Sequence, residues 1–219
     1  MVRISMPPSP SGSYNSSMSQ RLLFTIGHST RGWLEFIALL KAWKIQEVVD
    51  VRSVPRSRAF PWFEKVRMGK ALPRAGIAYT HLAALSGLRH SPKNSLNTGW
   101  HNESFRGYAD YMQTEAFAQG LRELNRRRRK HRVGVMCSEA VWWRCHRRMI
   151  ADAALAAGIR VRHIMTEKSA PLHQLTAFAK VRRKNGQVPR LIYPGSSIPV
   201  RPAQPTSAII SGRALGAAP

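Results

Sequence analysis

The stretch LLFTIGHSTRGWLEFIALLKAWKIQEVVDV (22–51) decides the fold class, because it places an apolar strand pattern on each side of a helical one. The apolar run Leu22–Ile26 predicts a strand that stops at Gly27. The run Glu47–Val51 predicts a second strand, and its fully apolar centre is typical of buried parallel strands. The stretch therefore favours a parallel sheet.

A helix is predicted between these strands, since apolar residues recur at helical spacing from Trp33 to Trp43. Ser29 or Thr30 is expected to cap it. The alternation continues along the chain, with further strands predicted at 77–81, 132–137 and 159–164 and further helices at 63–75, 105–112, 115–128 and 142–157. It predicts an α/β fold, a single three-layer domain with a mainly parallel sheet of about five strands.

The predicted domain covers residues 21–193. Residues 1–20 are rich in Ser, Pro and Gly with almost no aliphatic periodicity, so they predict a disordered leader. Residues 194–219 are rich in Pro, Ala and Ser and predict a disordered tail for the same reason. Between them, the loop at 86–103 is long enough to suggest a functional role.

The charge balance points to a polyanionic partner. The chain has 219 residues, of which 43% are hydrophobic, so disorder throughout is excluded. It contains 35 Lys and Arg against 11 Asp and Glu, a formal net charge of +24. Residues 21–179 hold all the acids and still carry +16, so the domain itself is cationic.

Two cysteines, Cys137 and Cys145, are too few for the disulfide framework of a secreted domain of this length. No apolar run approaches the roughly 20 residues that cross a bilayer, and the amino terminus lacks the apolar stretch of a secretory signal. We therefore expect a cytoplasmic protein without membrane contact.

Polar side chains that can carry chemistry gather after the predicted strands. Gly27, His28 and Ser29 follow the first strand, and two further groups follow later ones: Asp50 and Arg52, and Cys137 and Glu139. Ligands of parallel α/β sheets bind outside the carboxyl ends of the strands. The sequence thus predicts an active site at this edge.

Four segments resemble the bacterial domain-of-unknown-function 488 family, in the order TIGHS (25–29), VDVRSVPRSR (49–58), FRGYADYM (105–112) and CSEAVWWRCHR (137–147). The resemblance spans roughly residues 24–178. It implies a compact α/β domain with recurring Gly-His-Ser, Asp-x-Arg and Cys-x-Glu-x5-Cys-His-Arg elements and no settled substrate. This sequence departs from a minimal domain mainly by its basic C-terminal extension.

Cys137 is the predicted nucleophile or sulfur carrier, because the amino terminus of a following helix would lower its thiol pKa. The alternative is a small buried residue. A cysteine followed by an arginine is similar to rhodaneses and cysteine phosphatases, but the gap to Arg144 is six residues instead of five. Glu139 would also repel an anion there.

Glu139 and Asp50 are the predicted acid and base, since a carboxylate pair can move protons at a substrate. The alternative is a helix cap or an ion pair with Arg52 or Arg144, which we favour for Asp50. His28 either contacts the ligand or is oriented by local backbone. The predicted substrate-binding residues are Gly27, His28, Ser29, Arg52, Tyr108, Arg144, His146 and Arg147.

Cys137, Cys145 and His146 form a weak metal pattern, because a loose Cys-x7-Cys-His run lacks the tight ligand pairs of structural zinc. We therefore predict neither a metal nor a cofactor. The alternative left open is that these three residues are metal ligands.

A basic surface for nucleic acid is predicted from clustered cations, although a solvated helix end is the alternative for the run at 126–130, and no recognised nucleic-acid module appears. Its residues are Arg56, Arg58, Arg126, Arg127, Arg128, Arg129 and Lys130. The sequence as a whole predicts an enzyme acting on nucleic acid or a nucleotide-like substrate, with Cys137, Glu139 and Asp50 as catalytic residues. The alternatives are a non-catalytic nucleic-acid-binding module and rhodanese-like or phosphatase-like chemistry at Cys137. Protein partners are not predicted.

Overall fold

The central sheet confirms the predicted α/β class. The computed structural model describes residues 22–183 and 189–195, so the predicted leader at 1–20 and the predicted tail beyond residue 195 lie outside the described residues. Five parallel strands pair in the order β3–β2–β4–β1–β5. They are β1 (Leu22–Gly27), β2 (Glu47–Asp50), β3 (Ala78–His81), β4 (Val133–Cys137) and β5 (Arg160–Ile164).

Helices cover both faces of this sheet. They are α1 (Trp33–Ala42), α2 (Lys65–Arg74), α3 (Glu103–Tyr111), α4 (Glu115–Lys130) and α5 (Arg147–Ala156). Side chains alternate along β1, so Phe24 packs with α1 and α2, whereas Leu23 packs with α3, α4 and α5. This arrangement gives the three layers that the sequence predicts.

The strand register brings three carboxyl ends together. Gly27 at the end of β1 lies opposite Cys137 at the end of β4. Asp50 at the end of β2 lies opposite Met136 on the other side of β4. The segments that follow β1, β2 and β4 are therefore neighbours in space.

Several local predictions are wrong. Helix α1 begins at Trp33 after Gly32, with no side-chain cap, and Ser29 instead adopts a left-handed conformation with φ 47°. The helix predicted at 142–157 is a 3₁₀ turn at Trp142–Arg144 followed by α5, which begins only at Arg147. The helix predicted at 63–75 begins at Lys65, after a 3₁₀ turn at Pro61–Phe63, and includes Pro73 in its last turn.

A small antiparallel pair, β6 (Lys180–Arg182) and β7 (Arg190–Ile192), was not predicted. Three-residue strands are too short to show a period in sequence. Tyr193, directly after β7, is fully buried and belongs to the hydrophobic cluster formed by α3, α4 and α5. In the described residues, no helix is both long and apolar enough to span a membrane.

Candidate functional site

A cavity of about 380 Å³ opens at the carboxyl ends of β2 and β4. Its walls come from the segments after both strands, from the loop after β3 and from α3. The lining residues are Arg52, Ser53, Val54, Gly87, Leu88, Asn102, Ser104, Phe105, Tyr108, Cys137, Ser138, Glu139, Arg144, Cys145 and His146. The site edge predicted from the strand ends is therefore where this cavity lies.

Three of these residues form what we call the thiol–histidine cluster: Cys137, Cys145 and His146. The Nδ1 atom of His146 lies 3.7 Å from Sγ of Cys145 and 4.0 Å from Sγ of Cys137. Nε2 of the same ring donates to the carbonyl oxygen of Val51 at 3.1 Å. A carbonyl only accepts, so in the neutral ring the unprotonated nitrogen faces both sulfurs.

Of the two thiols, Cys145 is the one whose surroundings favour the thiolate. A hydrogen bond from Cys137 and the nearby Arg147 guanidinium lower the pKa of the Cys145 thiol to about 6. Nε of Arg147 donates to this sulfur at 3.4 Å. The hydrogen bond with Cys145 and burial raise the pKa of Cys137 to about 12.

The predicted low pKa of Cys137 is therefore wrong. Its physical premise was the amino terminus of the helix predicted from residue 142, and the structure has a 3₁₀ turn there instead. Helix α5 begins two residues after Cys145, so the helix terminus lies beside the other thiol. Sequence alone could have found this only by locating the break in the predicted 142–157 helix.

The loop that carries Glu139 is held against the end of β1. Arg147 is buried and donates to the carbonyl oxygens of Glu139 and Ala140. A Cβ at Gly27 would overlap the Glu139 carbonyl oxygen, so only glycine permits this approach. Ser29 donates its backbone N–H to Ser138 at 2.9 Å. Gly27, Ser29 and Arg147 thus position the loop and do not line the cavity.

The side chain of Glu139 is exposed and lines the cavity. Its carboxylate has no ion-pair partner among residues 22–183 and 189–195. The alternative, an ion pair of Glu139 with Arg52 or Arg144, is therefore not observed. Its oxygens are available to a ligand.

Asp50 lies outside the cavity and is completely buried. Its carboxylate accepts from Arg52 through Nε at 2.9 Å and Nη2 at 2.6 Å, and from the Tyr79 hydroxyl at 2.7 Å. The backbone N–H of Arg52 donates to it as well, at 3.0 Å. Asp50 thus forms the ion pair with Arg52 that the sequence analysis favoured. The buried position of its carboxylate does not support a catalytic role.

His28 lies behind Arg52. Its ring stacks on Phe63 with centroids 4.1 Å apart, and Nε2 is 3.2 Å from Nη1 of Arg52. Burial and the adjacent Arg52 charge lower its pKa to about 4, so the ring is neutral and accepts from Arg52. His28 orients Arg52 and does not line the cavity.

Tyr108 supports His146 from the side of α3. Its ring lies 5.0 Å from the imidazole, and its hydroxyl donates to the carbonyl oxygen of Leu85 at 2.9 Å. Gly87 completes this wall, since a Cβ there would lie 3.0 Å from Nδ1 of His146. The loop at 86–103 therefore contributes to the site, although its individual lining residues carry no pattern that sequence could reveal.

The predicted basic surface is divided between the two ends of the sheet. Arg56 and Arg58 are exposed in the loop after β2, on the side of the cavity. The run Arg126–Lys130 ends α4 just before β4 begins, on the opposite side. There Arg126 and Arg127 form ion pairs, the first with Glu123 and the second with Glu47 and Glu123.

Comparison with known families agrees with the resemblance seen in the sequence. The family model described as "Domain of unknown function DUF488" matches residues 33–154, more than half of the chain. This range includes the cavity-lining segments after β2 and β4, whereas the TIGHS segment lies before it. Comparisons with curated proteins and with solved structures found no match. The chain belongs to the DUF488 family.

Proposed function

We propose that the chain is an enzyme that acts on nucleic acid or a nucleotide-like substrate, with the thiol–histidine cluster as its reactive centre. One observation carries the proposal: the cluster, the free carboxylate of Glu139 and the exposed Arg144 line a single cavity. That cavity lies at the sheet edge where parallel α/β proteins bind ligands.

The size of the cavity favours one nucleotide unit. Its volume of about 380 Å³ is in the range of small-molecule sites. A nucleic-acid substrate would therefore enter as a single unpaired nucleotide, because a base stacked within a duplex is not reachable from such a cavity. Val54 and Leu88 leave 61% and 74% of their surface exposed and give the cavity apolar walls for a base.

Phosphate binding is assigned to Arg144. A guanidinium recognises phosphate through paired, charge-assisted hydrogen bonds, and this one is exposed. Arg52 is less suited, because most of its donors already bind Asp50, His28 and the Phe63 carbonyl oxygen. We assign it a positioning role. Glu139 is the proposed proton donor or acceptor at the substrate.

The test compares matched arginine variants. Ribonucleoside monophosphates and short single strands of DNA and RNA are titrated into the wild type, Arg144→Ala and Arg129→Ala. Arg129 is exposed at the opposite end of the sheet, so its loss controls for net charge. Loss of a charge-assisted bond is expected to weaken binding of at least one probe about tenfold or more in Arg144→Ala alone. Equal affinities in the three proteins would contradict the proposal.

Turnover is tested separately with Glu139→Gln. This variant keeps the size of the side chain and removes its ability to exchange a proton. We expect product from a bound probe in the wild type and at least a hundredfold slower formation in the variant. Products are identified by mass spectrometry, and an unchanged rate would remove Glu139 from the chemistry.

A second candidate, non-catalytic nucleic-acid binding, is favoured by a groove at the other end of the sheet. It is lined by Lys44, Gln46, Arg128, Arg129, Lys130, His131 and Arg132. Binding there would weaken steeply with salt and would persist unchanged in Arg144→Ala and Glu139→Gln. Lys130→Ala would lower the salt slope by about one unit.

Rhodanese-like or phosphatase-like chemistry at Cys137 is the weakest proposal. The raised pKa of that thiol leaves it neutral at pH 7, whereas attack requires the thiolate. Such chemistry would fall to Cys145. A persulfide on Cys145 after incubation with thiosulfate, located by peptide mass, would support this alternative.

A further inference from the structure

The thiol–histidine cluster has the dimensions of a metal site. All three candidate ligand atoms, the sulfurs of Cys137 and Cys145 and Nδ1 of His146, lie within 4.8 Å of one another. With zinc bond lengths of about 2.3 Å to sulfur and 2.0 Å to nitrogen, tetrahedral ligand atoms lie roughly 3.5–3.8 Å apart. The two sulfur–nitrogen distances, 3.7 and 4.0 Å, are already close to that spacing.

We propose that Cys137, Cys145 and His146 bind one zinc-class divalent cation and leave its fourth coordination position open to the cavity. Two thiolates and an imidazole are the donor set that borderline-soft cations prefer. Three protein ligands with one open position are typical of catalytic zinc, whereas structural zinc has four. The loose Cys-x7-Cys-His spacing is weak evidence for a structural zinc site, but it does not argue against a catalytic one.

The surroundings of the ligands support this assignment. The hydrogen bond from Nε2 of His146 to Val51 fixes the tautomer that presents a lone pair on Nδ1. Such outer hydrogen bonds are typical of histidines that ligate metals. Arg147 donates to Sγ of Cys145 and so stabilises a thiolate there. Gly87 keeps a side chain away from the ligand nitrogen.

The ligands are also held in place before any cation binds. Cys137 ends β4, and Cys145 and His146 directly precede α5, so two regular elements fix their positions. Both cysteines are buried. Glu139, which also lines the cavity, has the free carboxylate needed to exchange protons with a ligand at the fourth position. The role at the cavity rests on the proposed function, whereas cation binding itself does not.

Metal content and cobalt spectroscopy test the site without any assay of activity. The full chain is stripped with a chelator and titrated with Zn²⁺, and then with Co²⁺ under anaerobic, reducing conditions. We expect one equivalent of zinc to bind. Cobalt is expected to give a thiolate-to-metal charge-transfer band in the near ultraviolet and intense visible bands of tetrahedral geometry.

Variants decide which residues bind. Cys145→Ser and His146→Ala are expected to raise the Kd for zinc at least a hundredfold and to abolish the charge-transfer band. His101→Ala, an exposed histidine outside the cluster, serves as the matched control and is expected to bind like the wild type. Far-ultraviolet circular dichroism confirms that each variant is folded. The conservative Cys145→Ser change keeps the test valid if His146→Ala unfolds.

The outcomes separate this inference from the proposed function. The inference is overturned if the stripped wild type gives no charge-transfer band when Co²⁺ is added. It is also overturned if Cys145→Ser binds zinc as tightly as the wild type. Sustained turnover of a nucleotide probe by the metal-free protein would retain the proposed function and reject a role for the cation. One bound equivalent with no binding of nucleotide probes would retain the site and reject the substrate class.

Discussion

The imidazole of His146 donates from Nε2 to the carbonyl oxygen of Val51 across 3.1 Å, which ties the start of α5 to the end of β2. Because Val51 directly follows β2, this bond joins the two segments that carry the cluster and the Asp50–Arg52 pair. It also fixes the ring so that its other nitrogen faces both sulfurs. The thiol–histidine cluster is thus anchored to the sheet edge by a backbone contact.

The Asp50–Arg52 pair is expected to dominate the stability of this edge. Asp50→Asn leaves a buried guanidinium without its counter-charge, and breaking a buried pair in this way costs about 3–5 kcal/mol. Urea unfolding measures the loss. Glu64→Gln is the control, because it removes an exposed partner of Arg67 and should change the unfolding free energy by less than about 1 kcal/mol. Equal stabilities of the two variants would contradict this.

Gly27→Ala is expected to push the loop at 138–140 away from β1. The new methyl group would overlap the Glu139 carbonyl oxygen, and overpacking of this kind costs roughly 1–3 kcal/mol. Affinity for nucleotide probes should fall as well, since Glu139 moves. Gly32→Ala is the matched control, because nothing lies within 4 Å of a Cβ there. If both variants unfold at the same urea concentration, the close approach has no energetic weight.

Stability is expected to fall as the pH drops from 7 to 4. His28 has a folded pKa of about 4 and an ordinary value of 6.5, so the unfolded chain binds the proton first in this window. The loss begins below pH 6.5 and is complete near pH 4, and for His28 it amounts to about 3 kcal/mol. His163, with a pKa lowered to about 2 by burial and by His173, adds to the same slope.

The share of His28 in that slope is measured with His28→Asn. The unfolding free energy, measured at several pH values, should depend less steeply on pH in the variant. Between pH 4 and 6.5 the difference in slope should correspond to up to one fewer proton taken up on unfolding. An identical slope in both proteins would mean that His28 does not stay neutral in the fold.

A second polar network is expected to stabilise the domain without taking part in the chemistry. Thr25, His163, His173 and Asp152 are joined by hydrogen bonds of 2.7, 3.0 and 2.9 Å, and all are buried. Asp152→Asn removes an acceptor that also binds Tyr193, so we expect a loss of about 3 kcal/mol. Probe affinity should not change in the folded variant. A selective loss of turnover without destabilisation would place the network in the mechanism instead.

The sequence was sufficient to predict the sheet and the edge at which the candidate site lies. Strand and helix periods between residues 22 and 51 predict parallel strands, and parallel strands predict a site at their carboxyl ends. The contacts that separate the buried Asp50 from the cavity-lining Glu139 join residues far apart in sequence, and such contacts leave no periodic pattern. The Asp50 carboxylate accepts a hydrogen bond from Tyr79 of β3, and no local motif could predict this contact.

The choice between the two thiols was out of reach for a different reason. It depends on where α5 begins, and the 3₁₀ turn at Trp142–Arg144 shifts that start to Arg147. Helix boundaries are the least certain part of a pattern-based prediction. The observed start at Arg147 places the helix terminus next to Cys145, whereas the predicted helix would have begun in the loop that follows Cys137 and included Cys145.

Hydrogen–deuterium exchange with a bound nucleotide probe tests the central claim most directly, because it reports where on the chain a ligand binds. With the probe held near its wild-type Kd, we expect slower exchange in peptides covering 138–146 and 52–54, and much weaker protection in Arg144→Ala at the same probe concentration. Peptides covering 128–132, at the opposite end of the sheet, should exchange at the same rate with and without probe. Protection confined to 128–132 would contradict the account and assign binding to the basic groove.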